Sequence, residues 1–349
     1  MTLSDTQRRE LLGPVLRNTS RSFYLTLRVL PRAVRSQVGA AYLLARAADT
    51  IADTAAIPRE KRLTHLLALR EQLQKVPSRD EIAGIQEGVL ATSASAAEKR
   101  LLENLQHCFA LYRSFDPPDR RLIAEVVTTL TSGMEKDLQR FHADSAIQHT
   151  TISSLSTDTD LDEYTYLVAG CVGKFWTQMC VQHLPALRKW DMDPMSEKGI
   201  RFGKGLQLTN ILRDIPRDVR HGRCYLPADR LRKLGLAPSD LLNSSTLPKL
   251  RPLLNEYLDR ALDHLDVGWK YTMAIPRRQP RLRLACIWPI WIGLETLAKI
   301  RRHPNPLDSA TTIKVPREDI YKLMARSAAI SLSDTALNRR YEKLRALAV

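Results

Sequence analysis

The chain has 349 residues, 44% of them hydrophobic, so it can bury a large core as one large domain or two smaller ones. Its 53 Lys and Arg against 38 Asp and Glu give a formal charge of +15, which fits an anionic membrane surface, a phosphorylated substrate or nucleic acid as partner, or else a basic but merely solvated surface. Nucleic acid is excluded as the expected partner, because the sequence has neither zinc-type Cys/His spacing nor a Lys/Arg run with interleaved aromatic residues.

The cysteines and the apolar segments indicate in which cellular compartment the protein is expected. An odd, scattered set of five predicts free thiols in a reducing compartment, and we expect Cys171, Cys180 and Cys286 to be buried as small hydrophobic side chains. The N-terminal stretch MTLSDTQRRELLGPVLRNTS lacks the continuous apolar run of a signal peptide. The most apolar segment, Leu284–Ala298, is too short to span a bilayer and contains Pro289. We therefore expect a cytoplasmic protein, soluble or peripheral on the inner face of the membrane.

Apolar residues recur at steps of three and four along most of the chain, which predicts helices. The first helix begins after Pro31 and has on one stripe Val34, Val38, Ala41, Tyr42, Ala45, Asp49, Ala52 and Asp53. Further helices are predicted over Arg59–Val76, Ala97–Ser114, Arg120–Arg140, Leu161–His183, Ser196–Asp214, Leu250–Thr272, Leu282–Ile300 and Arg317–Ser331. Loops are predicted over Pro77–Ser95, His142–Thr159, His221–Pro227 and His303–Ile313. No strand alternation, repeat or long linker interrupts this pattern, so we predict a single all-α domain over residues 1–349.

The first helix carries charged residues on a face that otherwise favours burial. In YLLARAADTIADT, Tyr42, Arg46, Asp49 and Asp53 follow one another at steps of four, three and four, so they line one strip. Two unpaired carboxylates would be costly to bury there. Either Arg46 pairs with Asp49 at the edge of the domain, or the carboxylates serve a binding site.

The segment GKGLQLTNILRDIPRDVRHGRCYLP contains a second strip of oxygen ligands. Its members, at steps of three, four and four, are Gln207, Asn210, Asp214 and Asp218. Hard oxygen ligands without a nearby His or Cys suit Mg²⁺, which binds through a few carboxylates and substrate phosphate oxygens. If the two strips faced each other, divalent cations between them could hold a diphosphate, and Arg46, Arg213 and Arg223 could contact its oxygens.

Pro216 interrupts the second strip between Asp214 and Asp218. A proline removes one helical hydrogen bond, and it disfavours helical backbone at the residue before it, here Ile215. We therefore expect the helix to kink or end at this point, which would displace Asp218 from the ideal strip.

Five motifs, in order along Ser20–Arg326, resemble those of the squalene/phytoene synthase family of head-to-head prenyl transferases. They are SRSFY (Ser20–Tyr24), YLLARAADTIAD, EYTYLVAGCVG (Glu163–Gly173), QLTNILRDIPRD and GRCYLP. The resemblance implies a single all-α prenyl-synthase bundle around a central cavity. The C-terminal stretch LACIWPIWIGLETLAKI…TIKVPREDIYKLM is more similar to squalene than to phytoene synthases, and the lack of a membrane anchor is expected of a bacterial-type enzyme.

The resemblance also implies roles for individual residues. The implied metal ligands are Asp49, Asp53, Asn210, Asp214 and Asp218. The implied catalytic residues are Tyr42, Arg46, Tyr164 and Arg213, with Tyr164 near the first carbocation. The implied substrate-binding residues are Ser20, Arg21, Ser22, Phe23, Ala169, Gly173, Gln207 and Arg223, of which Ala169 and Gly173 would leave room for a prenyl chain. From the residues alone, the small side chains at 169–173 permit either an open tunnel or close helix packing, and Phe175 and Trp176 are expected in the core.

The implied chemistry is Mg²⁺-dependent ionisation of an allylic diphosphate in a cavity that excludes water. Two farnesyl diphosphates would give presqualene diphosphate, and a second ionisation with hydride from NADPH would give squalene for sterol or hopanoid biosynthesis. The sequence has no Rossmann glycine fingerprint, so NADPH would need a surface groove. Lys314 and Arg317 are candidate anchors for its phosphates, or else ordinary solvated charges.

Three other functions remain open at this point. One is a phytoene synthase that uses geranylgeranyl diphosphate, and another is a synthase that stops at presqualene diphosphate or makes hydroxysqualene. The third is a catalytically inactive family member that acts as an assembly or membrane-binding factor, against which the intact acidic strips argue, because an inactive protein has no need for uncompensated acidic clusters. The sequence determines neither the prenyl chain length nor the oligomeric state.

Overall fold

The computed structural model describes residues 3–20, 23–90, 95–141, 152–308, 310 and 312–349, and helices dominate these ranges. The α-helices are α1 (Asp5–Glu10), α2 (Leu16–Ser20), α3 (Phe23–Val29), α4 (Arg32–Asp53), α5 (Arg59–Gln74), α6 (Arg79–Leu90), α7 (Ala96–Glu103), α8 (Leu105–Arg113), α9 (Pro117–Arg140), α10 (Asp158–Thr165), α11 (Cys171–His183), α12 (Met192–Arg220), α13 (Ala228–Lys233), α14 (Leu247–Ala274), α15 (Pro280–Arg302), α16 (Arg317–Ile330) and α17 (Asp334–Ala348). Turns of π-helix lie at Leu11–Val15 and Tyr166–Gly170, and 3-10 turns at Pro185–Leu187, Pro238–Leu242 and Ser244–Thr246. The all-α prediction is confirmed.

The predicted loop Pro77–Ser95 is wrong, because it contains α6. Two glycines weaken the helical signal of this segment, yet Gly88 has a packing role. A Cβ atom at Gly88 would lie 2.4 Å from Nε2 of His65 on α5, so the missing side chain allows α6 to approach α5 closely. The apolar residues Ile82, Ile85 and Val89 recur at helical spacing and are buried.

Two further departures concern strands and the proline in α12. The described residues include strands β1 (Ser153–Ser154) and β2 (Arg223–Cys224), which pair in parallel and are too short to produce an alternating pattern. Helix α12 runs through Pro216 to Arg220, so of the two expected outcomes an end at the proline is wrong, while a kink there stays a prediction. The predicted loop His142–Thr159 lies partly outside the described residues, and its last part contains β1 and the start of α10.

The chain forms two compact units, and whether they make the single predicted domain stays a prediction. The first unit consists of Met1–Gln139 with Gln178–Pro185. Within it, α4 packs against α5, α7 and α8. Leu43, Leu44 and Ile51 of α4 are fully buried, so the opposite side of this helix is the one available to carry charge.

The second unit consists of Arg140–Thr177 with Ala186–Val349. Helix α12 packs most extensively against α14 and also contacts α15 and the π-turn that precedes α11. The short β1–β2 pair joins the segment before α10 to the segment after α12, through Ser153–Arg223 and Ser154–Cys224. It therefore fixes the loop that follows the second acidic strip relative to the start of α10.

All five cysteines are buried and free of disulfides, as expected for Cys171, Cys180 and Cys286. Burial raises the pKa of Cys108, Cys224 and Cys286 to about 12, so these thiols stay protonated at neutral pH. Among the described residues, none of the helices combines the length and the apolar character needed to cross a bilayer.

Candidate active site

The first acidic strip lies on α4 and contains a bridged arginine. Arg46 donates from Nη1 to the carboxylate of Asp49 and from Nη2 to Oε1 of Glu98 on α7, the latter at 2.7 Å. The pairing of Arg46 with Asp49, one of the two alternatives left open by the sequence, is thus present. Asp53, one turn farther along, is exposed.

The electrostatic balance of this strip favours a cation. Burial, together with the negative charges of Asp53 and Glu98, raises the pKa of Asp49 to about 6 against the opposing effect of the Arg46 guanidinium. The local surplus is negative, since one guanidinium is surrounded by three carboxylates. A divalent cation at Asp49 and Asp53 would relieve that repulsion and favour the ionised carboxylates.

Residues that precede α4 in the chain contact the first strip. Tyr42 donates a hydrogen bond to the backbone oxygen of Thr19 at 3.4 Å, and its ring stacks on Phe23 with centroids 5.6 Å apart. Phe23 is 39% exposed, so one face of the stack is open to a ligand. Ser20 is buried, and its hydroxyl donates to Leu16 of its own helix. Arg21 and Ser22 lie outside the described residues.

The second strip lies on α12, and its carboxylates are paired with adjacent arginines. Arg213 holds Asp214 through two hydrogen bonds, Nε to Oδ1 at 2.9 Å and Nη2 to Oδ2 at 2.6 Å. Arg217 holds Asp218, with Nε and Nη2 at 3.2 and 3.1 Å from Oδ1. The idea of an uncompensated acidic cluster is therefore wrong here, because each carboxylate has its own guanidinium. Within the described part of the chain, the side-chain amides of Gln207 and Asn210 make no hydrogen bond, which leaves their oxygens available to a ligand.

The side chain of Asp218 is 17% exposed, slightly less than the 20% of Asp214. Burial raises its pKa, the charge of Asp214 raises it further, and the positive charges of Arg217 and Arg223 oppose the shift. Arg223, at the start of β2, is thus close enough to influence the second strip. Pro216 does not prevent Asp214 and Asp218 from sharing one guanidinium, since Nη2 of Arg217 also lies 3.5 Å from Oδ2 of Asp214.

An aromatic cluster surrounds Tyr164. The ring of Tyr164 stacks on Tyr225 with centroids 4.7 Å apart, and Phe141 meets Tyr225 edge to face at 5.3 Å. Tyr225 follows β2 directly, so the β1–β2 pair positions it beside α10. Electron-rich ring faces of this kind stabilise a nearby cation.

The small residues at 169–173 are a helix contact. A Cβ atom at Gly173 would lie 1.8 Å from the carbonyl oxygen of Gly199 on α12, and one at Gly203 would lie 2.4 Å from that of Ala169. Close packing, one of the two alternatives from the sequence, is thus present, whereas room for a prenyl chain at Ala169 and Gly173 stays a prediction. Phe175 is buried, as expected.

Lys314 and Arg317 are both exposed, before and at the start of α16. Glu318 and Asp319 follow in the first turn of the same helix, so the local charge is mixed. Their assignment as anchors of a dinucleotide phosphate stays a prediction.

The donor set fits Mg²⁺ shared with a ligand better than a metal held by protein alone. In the described part of the chain, no group of three or more His, Cys, Asp or Glu side chains is placed to hold a metal ion. Mg²⁺ often binds through one or two carboxylates, with phosphate oxygens and water completing the octahedron. Asp49 with Asp53, and Asn210 with Asp214 and Asp218, supply that kind of partial oxygen set on successive turns of a helix.

Three site residues were missed by the sequence-based prediction. Glu98 was missed because its contact with Arg46 depends on the packing of α7 against α4, which no local spacing encodes. Arg217 had a usable signal, since it stands between the two carboxylates of the strip it bridges. Tyr225 could have been noticed because it lies within the motif GRCYLP. Its stacking on Tyr164, however, depends on the β1–β2 pairing.

Comparison with known proteins gives a consistent picture. The sequence profile of the squalene/phytoene synthase family matches residues 16–319. The chain is 30% identical over 257 residues to a bifunctional lycopene cyclase/phytoene synthase of Phaeosphaeria nodorum, covering 72% of this chain and 39% of that protein. It is 25% identical over 287 residues to squalene synthase 1 of Arabidopsis thaliana, covering 81% of this chain and 63% of that protein. The chain therefore spans less than two thirds of the length of either curated relative.

The fold has a solved counterpart. A ligand complex of TcSQS superimposes with a TM-score of 0.73 at 22% identity, covering 99% of this chain and 98% of that one. The structure thus has the all-α isoprenoid synthase fold. The curated relatives carry names of both squalene and phytoene synthases.

Proposed function

Because this chain belongs to the squalene/phytoene synthase family, we propose that it condenses two farnesyl diphosphates head to head, through presqualene diphosphate, to squalene. The observation that carries the proposal is the pair of oxygen-rich strips on α4 and α12, each with guanidinium groups in contact with its carboxylates. Such a combination of oxygen ligands and arginines suits metal–diphosphate recognition. Both strips fall within the family-matched range.

In this proposal the oxygen ligands of each strip bind Mg²⁺ together with diphosphate oxygens. Asp49, Asp53, Asn210, Asp214 and Asp218 are the Mg²⁺ ligands. When bound, Mg²⁺ neutralises charge on the departing diphosphate.

The cationic and polar groups of the two strips orient the substrate. Arg46, Arg213 and Arg223 present forked donors that match phosphate oxygens. Gln207 and Tyr42 add uncharged donors. The site residues of the first segment, Ser20, Arg21, Ser22 and Phe23, complete the substrate side, with Phe23 exposing an apolar ring face.

The prenyl chain and its cation need a dry, electron-rich surface. The stacked pair of Tyr164 and Tyr225 offers ring faces to a developing carbocation. Exclusion of water by apolar side chains protects such a cation from capture. Ala169 and Gly173 are the proposed small residues along the chain-binding surface.

The reductive second step distinguishes squalene synthesis from the first condensation. NADPH, when bound, supplies the hydride. Lys314 and Arg317 are exposed cations that suit its phosphates. Replacement of both by Ala should raise the NADPH concentration needed for half-maximal squalene formation and leave the first condensation unchanged.

A phytoene synthase is the second candidate, favoured by the similarity to the bifunctional lycopene cyclase/phytoene synthase of Phaeosphaeria nodorum. It would perform the same condensation on geranylgeranyl diphosphate without a reductant. An inactive binding factor would retain the diphosphate site but release no pyrophosphate. Arginine pairing in the second strip weakens the sequence-based argument against that factor, since the carboxylates are partly compensated without metal.

The proposed condensation is tested by incubating the protein with farnesyl diphosphate and Mg²⁺ in the absence of a reductant. We expect at least one pyrophosphate to be released for every two farnesyl groups consumed, with presqualene diphosphate or hydroxylated products, and no release in EDTA. Tight, Mg²⁺-dependent binding of a non-ionisable farnesyl diphosphate analogue without any pyrophosphate release would identify the binding factor and overturn the proposal.

A further inference from the structure

The guanidinium of Arg217 lies between the two carboxylates of the second strip. Its Nη2 atom is 3.1 Å from Oδ1 of Asp218 and 3.5 Å from Oδ2 of Asp214, and its Nε atom is 3.2 Å from the same oxygen of Asp218. No role has been assigned above to this side chain. It bridges successive turns of α12 at the place where a metal shared by both carboxylates would bind.

The burial of the three side chains is unequal. The side chains of Asp214 and Asp218 are 20% and 17% exposed, whereas that of Arg217 is 67% exposed. A long, exposed side chain can turn into solvent at little cost, while the carboxylates stay where the helix holds them. The bridge can therefore open without a change in α12.

The neighbouring pair behaves differently. Arg213 is only 29% exposed and makes two hydrogen bonds to Asp214, with Nη2 at 2.6 Å from Oδ2. The bidentate pair of Arg213 with Asp214 is held more firmly than the contact of Arg217 with the same carboxylate. Compared with Arg213, Arg217 has the longer contact with Asp214 and the more exposed side chain.

We infer that Arg217 is a built-in counter-cation that neutralises the second strip when no metal is bound and is displaced into solvent when a divalent cation binds Asp214 and Asp218. The inference rests on the proposed metal–diphosphate function of this strip. It predicts that Arg217 competes with the metal and so sets the concentration of Mg²⁺ that the protein requires.

A structural role for Arg217 is the alternative explanation. Cations in the last turn of a helix stabilise the C-terminal end of its dipole, and Arg217 and Arg220 both lie in the last turn of α12. Arg220 is exposed and, among the described residues, makes no side-chain hydrogen bond or ion pair. Arg220→Gln therefore removes the same charge from the same helix end without removing a carboxylate bridge, which makes it the matched control.

The test compares Mn²⁺ binding, as a probe of the Mg²⁺ site, in the wild type, Arg217→Gln, Arg217→Lys and Arg220→Gln. Free Mn²⁺ is measured by its paramagnetic resonance signal at constant ionic strength, and the Mg²⁺-dependent rise in melting temperature is a second readout. Loss of an exposed ion pair is worth about 0.2–1 kcal/mol, so Arg217→Gln should tighten Mn²⁺ binding about 1.4- to fivefold. Arg217→Lys should restore part of the competition, and Arg220→Gln should have a smaller effect than Arg217→Gln.

The possible results separate this inference from the proposed function. Wild-type binding of Mn²⁺ with equal effects of Arg217→Gln and Arg220→Gln would overturn the inference and leave the proposed function standing. Weaker binding in Arg217→Gln would also overturn it, because Arg217 would then support the carboxylates rather than compete for them. Failure of the wild type to bind Mn²⁺ or to be stabilised by Mg²⁺ would contradict both the inference and the metal-dependent function.

Discussion

Pairing between arginines and carboxylates is the feature shared by the two acidic strips at the scale of single residues. Arg46 bridges Asp49 and Glu98, and Arg213 is bidentate on Asp214. A phosphate presents oxygens much as a carboxylate does, so these guanidinium groups are already oriented toward anionic oxygens. In the proposed function, a bound metal would take over the carboxylates of Asp49 and Asp214, which would leave Arg46 and Arg213 available to phosphate oxygens.

Neutralising one carboxylate in either strip should abolish most of the activity. Asp53→Asn and Asp214→Asn each remove a proposed metal ligand and should lower kcat by about a hundredfold or more, a loss comparable to that of an oxyanion-stabilising group. Circular dichroism should show an intact fold, since Asp53 is exposed and Asp214 lies on the strip rather than in the core.

Asp193→Asn is the matched control for these variants. Asp193 is exposed in the first turn of α12, far along the helix from Asp214, and the substitution removes the same charge. Its turnover should equal that of the wild type. Near-normal turnover of Asp53→Asn and Asp214→Asn at saturating Mg²⁺ would mean that both carboxylates are structural.

At the scale of whole elements, the contact between α11 and α12 depends on two glycines whose backbones touch. A Cβ atom on either would collide with the other helix, at 1.8 Å for Gly173 and 2.6 Å for Gly199. Because the obstacle is a carbonyl group rather than a flexible side chain, the helices themselves would have to separate.

Gly173→Ala should therefore destabilise the protein despite the better helix propensity of alanine. We expect a loss of about 1–3 kcal/mol in the free energy of unfolding, the usual cost of overpacking, measured by urea denaturation. Gly84→Ala is the control, because Gly84 is an exposed residue of α6 with no atom within 4 Å of the added methyl group. That control should be neutral or stabilising by up to about 1 kcal/mol, and equal stability of both variants would rule out the close contact.

A second inter-element contact is centred on Asp158, the first residue of α10. Its carboxylate accepts hydrogen bonds from Arg230 of α13 at 2.7 Å and from Tyr257 and Arg260 of α14 at 2.8 and 2.9 Å. Burial alone would raise the pKa of Asp158, but these bonds and charges outweigh it and hold the pKa below its ordinary value. The carboxylate thus joins three helices in its ionised form.

This contact should weaken in acid. With a pKa lower in the folded than in the unfolded chain, where it is about 3.9, the carboxylate stabilises the fold fully above that value and loses the effect as the pH falls through the folded pKa. Asp158→Asn should lower the urea midpoint at pH 7, and its difference from the wild type should narrow below about pH 4. Asp162→Asn is the control: Asp162 is an exposed residue of the same helix, α10, and pairs with Lys204 of α12. This substitution should change the urea midpoint little. A difference that stays constant with pH would exclude this electrostatic explanation.

At the scale of the whole molecule, the formal charge of +15 has a consequence for where the protein works. The proposed substrates and product carry long hydrocarbon chains that partition into membranes. A basic protein is attracted to anionic lipid by about 1 kcal/mol for each Lys or Arg near the surface. The attraction is screened over a Debye length of about 10 Å at 0.1 M salt.

We therefore expect the protein to co-sediment with vesicles that contain anionic lipid at low salt and to dissociate at high salt. Vesicles of uncharged lipid, prepared at the same size and concentration, are the control and should bind little at any salt concentration. Binding that depends neither on lipid charge nor on ionic strength would contradict an electrostatic, peripheral association.

Helical periodicity was sufficient to predict the all-α class and most helices, because each helix must bury an apolar stripe. It predicted helix α4, although the predicted stripe is buried only at Val34, Val38, Ala41 and Ala52. It failed at α6, where Gly88 serves packing rather than a turn, and at Pro216, where tertiary packing of α12 overrides the local preference of proline. Site residues on one helix strip were predictable from spacing, whereas Glu98 and Tyr225 depend on contacts between elements distant in the sequence.

The measurement that tests the central claim most directly is the identity of the product formed with Mg²⁺ from farnesyl or geranylgeranyl diphosphate, with and without NADPH. We predict squalene from farnesyl diphosphate with NADPH, and presqualene diphosphate or hydroxylated products without it, at similar rates of substrate consumption. Geranylgeranyl diphosphate should react poorly. A product from farnesyl diphosphate that is unchanged by NADPH, or a reaction with geranylgeranyl diphosphate alone, would contradict the assignment of squalene synthesis.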